Sequence, residues 1–147
     1  MRALALFACA AAAVLPPSIA SAQAAPEGGA TPRYPAEVAF VGEGAKGYVY
    51  RKFPTGERLY VSDRDGPGRS VCNGGCASAW PPVYAPAEAA PVGDWTIVHR
   101  ADGRTQWALD GRPVYTRFHD TSEVSTGDGV DGVWHLVDYR QVSRAAE

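Results

Sequence analysis

Two cysteines, a handful of aspartates, three histidines and a set of tyrosines are the residues with chemistry to offer. Cys72 and Cys76 stand four apart. In an oxidising compartment such a pair is most simply a disulfide, and a tight loop or single helical turn brings the two Cα atoms near enough to bond. The ring is small, so on the chain-entropy model it stabilises by only about 2 kcal/mol. Its expected work is to fix the loop leading to Trp80. A redox pair or a c-type haem site would need Cys-x-x-Cys, which the chain lacks. The acidic set is Asp63, Asp65, Asp120, Asp128 and Asp131; of these, Asp63-Arg64-Asp65-Gly66 and Asp128-Gly129-Val130-Asp131-Gly132 resemble pieces of calcium loops, though both are too short for a full EF-hand loop. The plainer role of such residues is to cap turns by accepting from nearby backbone amides. His99, His119 and His135 lie in or beside strand patterns. His119 and Asp120, with Asp128 and Asp131, are the candidate metal ligands should strands bring them together, and solvent-facing histidines are the alternative. No other cofactor is expected. There is no Gly-x-Ser-x-Gly, no mononucleotide loop and no telling pair of carboxylates, so catalysis is not expected.

Tyr60 with Asp65 and Tyr115 with Asp120 recur at an offset of 55. Gly56 and Gly111, and the apolar Leu59 and Val114, keep the same offset, while Trp80 and Trp134 follow at 54. A unit this short cannot bury its own apolar face, so two copies are expected to pack on each other. Tyr60 and Tyr115, with Trp80, Trp95, Trp107 and Trp134, read as core pillars whose polar tips find partners.

What must position these residues is a series of short strands. Sixteen glycines and twelve prolines punctuate the chain and no helical periodicity survives between them, which points to a mostly β fold. Strands are predicted over 37–41, 48–53, 58–61, 95–99, 105–109, 113–115 and 133–137. Asp102-Gly103 and Asp110-Gly111 mark two tight hairpin turns, since both residue types tolerate positive φ. Cys76 to Trp80 is the one stretch suited to a helical turn, ended by Pro81-Pro82. The expected architecture is a small antiparallel β-sandwich or barrel with pseudo-twofold symmetry, spanning 37–142 with halves at 45–85 and 93–138.

Ahead of this domain, Met1-Arg2, an apolar run from Ala3 to Val14 and Ala22-Gln23-Ala24 have the order of a secretory signal peptide. Cleavage is expected after Ala24, with Ala22 the alternative, leaving a flexible leader at 25–36 and a tail at 143–147. Phe7 in Leu6-Phe7-Ala8-Cys9 is too bulky for a lipidation box, and the run is too short for an anchor, so no transmembrane segment is expected in the mature chain. The whole chain carries 14 basic and 16 acidic residues. Losing Arg2 with the signal leaves a net charge of about −3, without the basic clusters that nucleic acid requires.

The block Ser70-Val71-Cys72-Asn73-Gly74-Gly75-Cys76-Ala77-Ser78-Ala79-Trp80-Pro81-Pro82, with Ala101 to Trp107 and Gly111 to Tyr115, resembles the bacterial secreted repeat of unknown function. That family of predicted lipoproteins carries a Tyr-x-aromatic-x-x-Asp motif, and the resemblance runs over roughly residues 45 to 138. Here the first copy has Ser62 at the aromatic position, and the second has Arg117, with Phe118 one place late. The resemblance implies no activity. The expected protein is a periplasmic or extracellular non-catalytic domain whose partner is an envelope protein or polymer, with a metal- or small-ligand-binding module as the alternative.

Overall fold

The computed structural model describes residues 33–43 and 48–137. The expected signal peptide at 1–24, most of the expected leader at 25–36 and the expected tail at 143–147 lie outside the described residues. Among the described residues, seven strands and one short helix follow in order: β1 Val38–Gly42, β2 Tyr48–Lys52, β3 Tyr60–Ser62, α1 Gly75–Ala79, β4 Trp95–His99, β5 Thr105–Leu109, β6 Arg112–Pro113 and β7 Trp134–Leu136. A 3-10 turn at Val130–Gly132 precedes β7. Among the described residues no helix is long and apolar enough to cross a membrane.

All pairings are antiparallel, and they form three small sheets, β1-β2, β3-β7 and β4-β5-β6. They do not close into a barrel, which corrects one of the two expected forms. The reason lies in the strands themselves. β6 is two residues long and ends in Pro113, which has no N–H to continue a ladder. What joins the sheets instead are single bridges, Tyr60 to Tyr115, Pro82 to Tyr115 and Tyr84 to Gln106.

The turns follow from residue chemistry. Asp110 and Gly111 take φ of 50° and 74°, the pair of left-handed conformations that a two-residue hairpin needs between β5 and β6. Asp102-Gly103 departs from the expected two-residue turn. Only Gly103 is left-handed there, and a five-residue loop closes with Arg100 N donating to Arg104 O at 2.9 Å. The Asp102 side chain accepts from Arg104 N at 3.1 Å, so the loop is an Asx turn inside a longer connection.

Burial on both faces of β3 divides the interior. Leu59 and Val61 join one apolar cluster with Val83, Trp95, Trp107, Val114 and Val137. Tyr60, between them in sequence, points the other way because strand side chains alternate, and it joins Cys72, Trp80, Tyr115 and Trp134. Val114 and Tyr115 split between the same two clusters. The first cluster is a conventional core. The second is smaller and carries polar tips.

Candidate functional site

At the middle of the second cluster, Tyr60 and Tyr115 exchange backbone hydrogen bonds, with N to O distances of 2.8 and 2.9 Å. Their hydroxyls then cross over. Tyr60 Oη donates to Asp120 Oδ2 at 2.6 Å, and Tyr115 Oη donates to Asp65 Oδ2 at 2.7 Å. Each tyrosine thus bonds the aspartate that lies five residues beyond the other. Further bonds repeat at the offset of 55. Tyr115 meets Ser70 Oγ and Tyr60 meets Ser125 Oγ, both at 2.6 Å. Asp65 Oδ1 accepts from Val71 N at 2.8 Å, and Asp120 Oδ1 from Thr126 N at 3.1 Å. Asp120 also accepts from Thr126 Oγ1 at 2.7 Å.

The indoles of Trp80 and Trp134 stack in parallel, 3.8 Å between centroids and 6° between planes. Tyr60 meets Trp80 edge-on at 5.5 Å, and Tyr115 meets Trp134 edge-on at 5.2 Å. Such geometry adds about 0.5–1.5 kcal/mol per pair beyond the area buried. The positions that flank this stack differ between the copies. Gly127 is obligatory, because a Cβ there would lie 2.6 Å from the Tyr60 ring and 2.9 Å from the Trp80 ring. At its counterpart, 55 residues earlier, stands the buried Cys72. Cys72 is joined to Cys76 across a Cα separation of 5.2 Å, and α1 leads directly to Trp80, as the spacing predicts.

Arg117 occupies the aromatic place of the second motif, and its guanidinium lies 5.2 Å from the Trp80 ring centroid. A cation–π contact stands where an aromatic pair would be. Ser62, at the same place in the first motif, is buried and uses its Oγ to accept from Arg64 N.

A buried arginine is the residue that sequence reasoning missed. The Arg100 side chain has no exposed surface. It donates to Gln106 Oε1 at 2.6 Å, Cys72 O at 2.7 Å, Ser70 Oγ at 3.0 Å and Asn73 Oδ1 at 3.2 Å, and it faces Asp102 at 3.3 Å. Gln106, also fully buried, passes the chain of bonds on to Val114 O at 2.7 Å. Arg100 thereby clamps the cysteine loop to β5 and, through Ser70, touches the Tyr115–Asp65 pair.

The candidate metal ligands are dispersed among other tasks. Asp120 is buried in the tyrosine network. Exposed His119 has a left-handed φ of 73° and lies against Phe118, with 4.0 Å between ring centroids. Asp128 accepts from Leu136 N at 2.9 Å, and Asp131 sits in the 3-10 turn with φ 53°. His135 bonds Asp63 at 2.6 Å, and Arg112 bonds the same carboxylate at 2.9 Å. His99 is exposed. Among the described residues no group of three His, Cys, Asp or Glu side chains is placed to hold a metal ion. A hollow of about 730 Å³ lies away from Tyr60 and Tyr115, lined by Tyr34, Phe40, Phe53, Pro86 and Val92 among others, with Trp107 on its wall.

Burial is the main influence holding both tyrosine hydroxyls above their ordinary value of 10.0. The carboxylates of Asp120 and Asp65 add to it by disfavouring a second negative charge, while Ser125 and Ser70 pull the other way. A folded-state value raised above the unfolded one gives stability that is complete below the unfolded value and is lost as pH climbs toward the folded one. The fold is therefore expected to weaken above about pH 10. In a spectrophotometric titration these two tyrosines should ionise only as the chain unfolds. Removing both hydroxyls with Tyr60→Phe and Tyr115→Phe should abolish that delayed step. Free titration of every tyrosine in the still-folded protein would contradict the geometry.

These features define a small, mostly β domain whose polar centre ties two distant Tyr…Asp segments together. Residues 96–138 match the model of the family described as a secreted repeat of unknown function, which is the family that the sequence resembles. The match begins within β4 and ends just past β7, so it covers the later segment and not the earlier one. No curated protein and no solved structure matches the chain.

Proposed function

We propose that the chain is a non-catalytic domain of the bacterial cell envelope, delivered by the signal peptide at 1–24 and acting through surface contacts with an envelope protein or polymer. In this reading its halves pack as a pseudo-twofold antiparallel sandwich, and the tyrosine centre is the clasp between them. The observation that carries it is the fate of the polar residues. Tyr60, Asp120, Ser125 and Thr126 on one side, and Tyr115, Asp65 and Ser70 on the other, spend their hydrogen-bonding capacity on each other. A site meant for substrate keeps polar groups aimed into a cavity. The register of the hairpins also favours two like halves. Val38 faces Lys52 and Gly42 faces Tyr48, while Trp95 faces Leu109 and His99 faces Thr105, the same ladder 57 residues on.

Two measurements test this. Tyr60→Phe and Tyr115→Phe each leave a carboxylate short of one donor, an expected cost of about 1–3 kcal/mol in denaturant unfolding. For related halves the two losses should be similar. Secondly, the purified secreted protein should co-sediment with peptidoglycan sacculi or crosslink reproducibly to one envelope protein in intact cells, and both variants should retain that contact below their melting temperatures. Loss of contact in a still-folded variant would move function into the tyrosine centre. Metal at unit stoichiometry by elemental analysis would instead support the alternative of a metal-binding module.

A further inference from the structure

Asn73 is the chain's single asparagine and is followed by Gly74, inside the five-residue ring that the disulfide closes. Both residues are exposed. Gly74 has φ of 55°, and apart from its chain neighbours nothing lies within 4 Å of where its Cβ would be, so that side of the residue is open. The Asn73 carbonyl is not free to drift. Arg100 Nη2 donates to Oδ1 at 3.2 Å, which draws electron density from Cγ and would stabilise negative charge developing on that oxygen.

We infer that Asn73-Gly74 is a self-modifying site that converts to aspartate and isoaspartate through a succinimide. The Gly74 nitrogen forms a bond to Asn73 Cγ, the Cγ–Nδ2 bond breaks, and Nδ2 leaves as ammonia carrying the proton lost from Gly74. Water then adds to one of the two imide carbonyls and opens the ring. Nothing is oxidised or reduced, and water is the only co-reactant.

The surroundings suit the product. Buried Arg100 has one carboxylate beside it, Asp102 at 3.3 Å, and a second at position 73 would lie on the same guanidinium. At the offset of 55 the chain already carries Asp128-Gly129, a carboxylate in the corresponding loop, where it accepts from Leu136 N. The residue matching Leu136 at the offset of 54 is Pro82, which has no N–H, and the side chain at 73 bonds to Arg100 instead.

The test is ageing of the full secreted chain, disulfide intact, in neutral buffer, followed by mapping of the tryptic peptide Ser70–Arg100. The expected result is conversion of Asn73 to a mixture of aspartate and isoaspartate with release of ammonia. The aged protein should gain one negative charge on ion exchange, and its aspartate form should co-elute with fresh Asn73→Asp. Conversion in the folded chain should be no slower than in the reduced, denatured chain. Asn73 left intact after ageing, or converted only after unfolding, would overturn the inference. So would an equally abundant acidic form in Asn73→Gln, which cannot close the five-membered ring.

Discussion

Replacing Arg100 with methionine should lower unfolding free energy by about 3 kcal/mol or more in urea or thermal melts, a large fraction of what holds a domain of this size. The side chain has no exposed surface, so its loss admits no water to the acceptors it leaves behind. Cys72 O and Gln106 Oε1 would each lose a short bond, of 2.7 and 2.6 Å, in a region where an unmet polar group costs about 1–3 kcal/mol. Relief from burying the guanidinium offsets part of this, and methionine fills much of the same apolar volume. Arg100→Lys should recover less than half of the loss. One ammonium cannot serve Ser70, Cys72, Asn73 and Gln106 in the directions that the planar fork reaches. Arg104→Met makes the comparison, because Arg104 is largely exposed and lies over Tyr84 at 3.9 Å; its change should stay within about 0.5 kcal/mol. An Arg100→Met protein as stable as Arg104→Met would remove the clamp from the account of this fold.

The strands were legible because the punctuation around them is chemical. Trp95–His99 and Thr105–Leu109 stand where alternation and the flanking glycines put them. Asp110-Gly111 is the turn that its residue types dictate. The short helix beginning beside Cys76 and the disulfide follow from spacing and compartment alone. Arg100 was not legible, and the reason is physical. It follows a strand residue and precedes Ala101-Asp102-Gly103, the usual setting of a solvated surface charge, while the acceptors Ser70, Cys72 and Asn73 lie far back in sequence. No local pattern reports contacts made at that separation. The tyrosines show the same limit from the other side. Spacing within each motif reveals that Tyr60 and Asp65 travel together, as do Tyr115 and Asp120. It cannot reveal that each hydroxyl bonds the aspartate of the opposite motif. His119 and Asp120, adjacent in sequence and both attractive as ligands, separate because the left-handed backbone at His119 sends one outward while the other is buried.

Trp134→Ala should be the more damaging half of the tryptophan pair, at about 3–5 kcal/mol, the range for emptying a large buried aromatic site. Trp134 is 2 % exposed and Trp80 is 7 %, so both are core residues, but their supports differ. Trp134 lies in β7, paired with Ser62 of β3, and its ring meets the edge of Tyr115. Its loss would open a cavity beside the tyrosine network, bounded by strands that cannot collapse without breaking the β3-β7 ladder. Trp80 sits at the end of α1 on a loop already held by the disulfide and by Arg100, and Arg117 covers its ring. Trp80 lies nearer the surface and the Arg117 side chain can settle into the space its ring leaves, so Trp80→Ala should cost less, nearer the lower end of the same range. Because the two indoles stack on each other, each single variant removes the shared contact. The double variant should therefore lose less than the two singles combined, by about 1 kcal/mol. Equilibrium denaturation of the four proteins in the cycle measures this directly. Strict additivity would mean that the stack at 3.8 Å is incidental to the fold, with each ring held by its own neighbours.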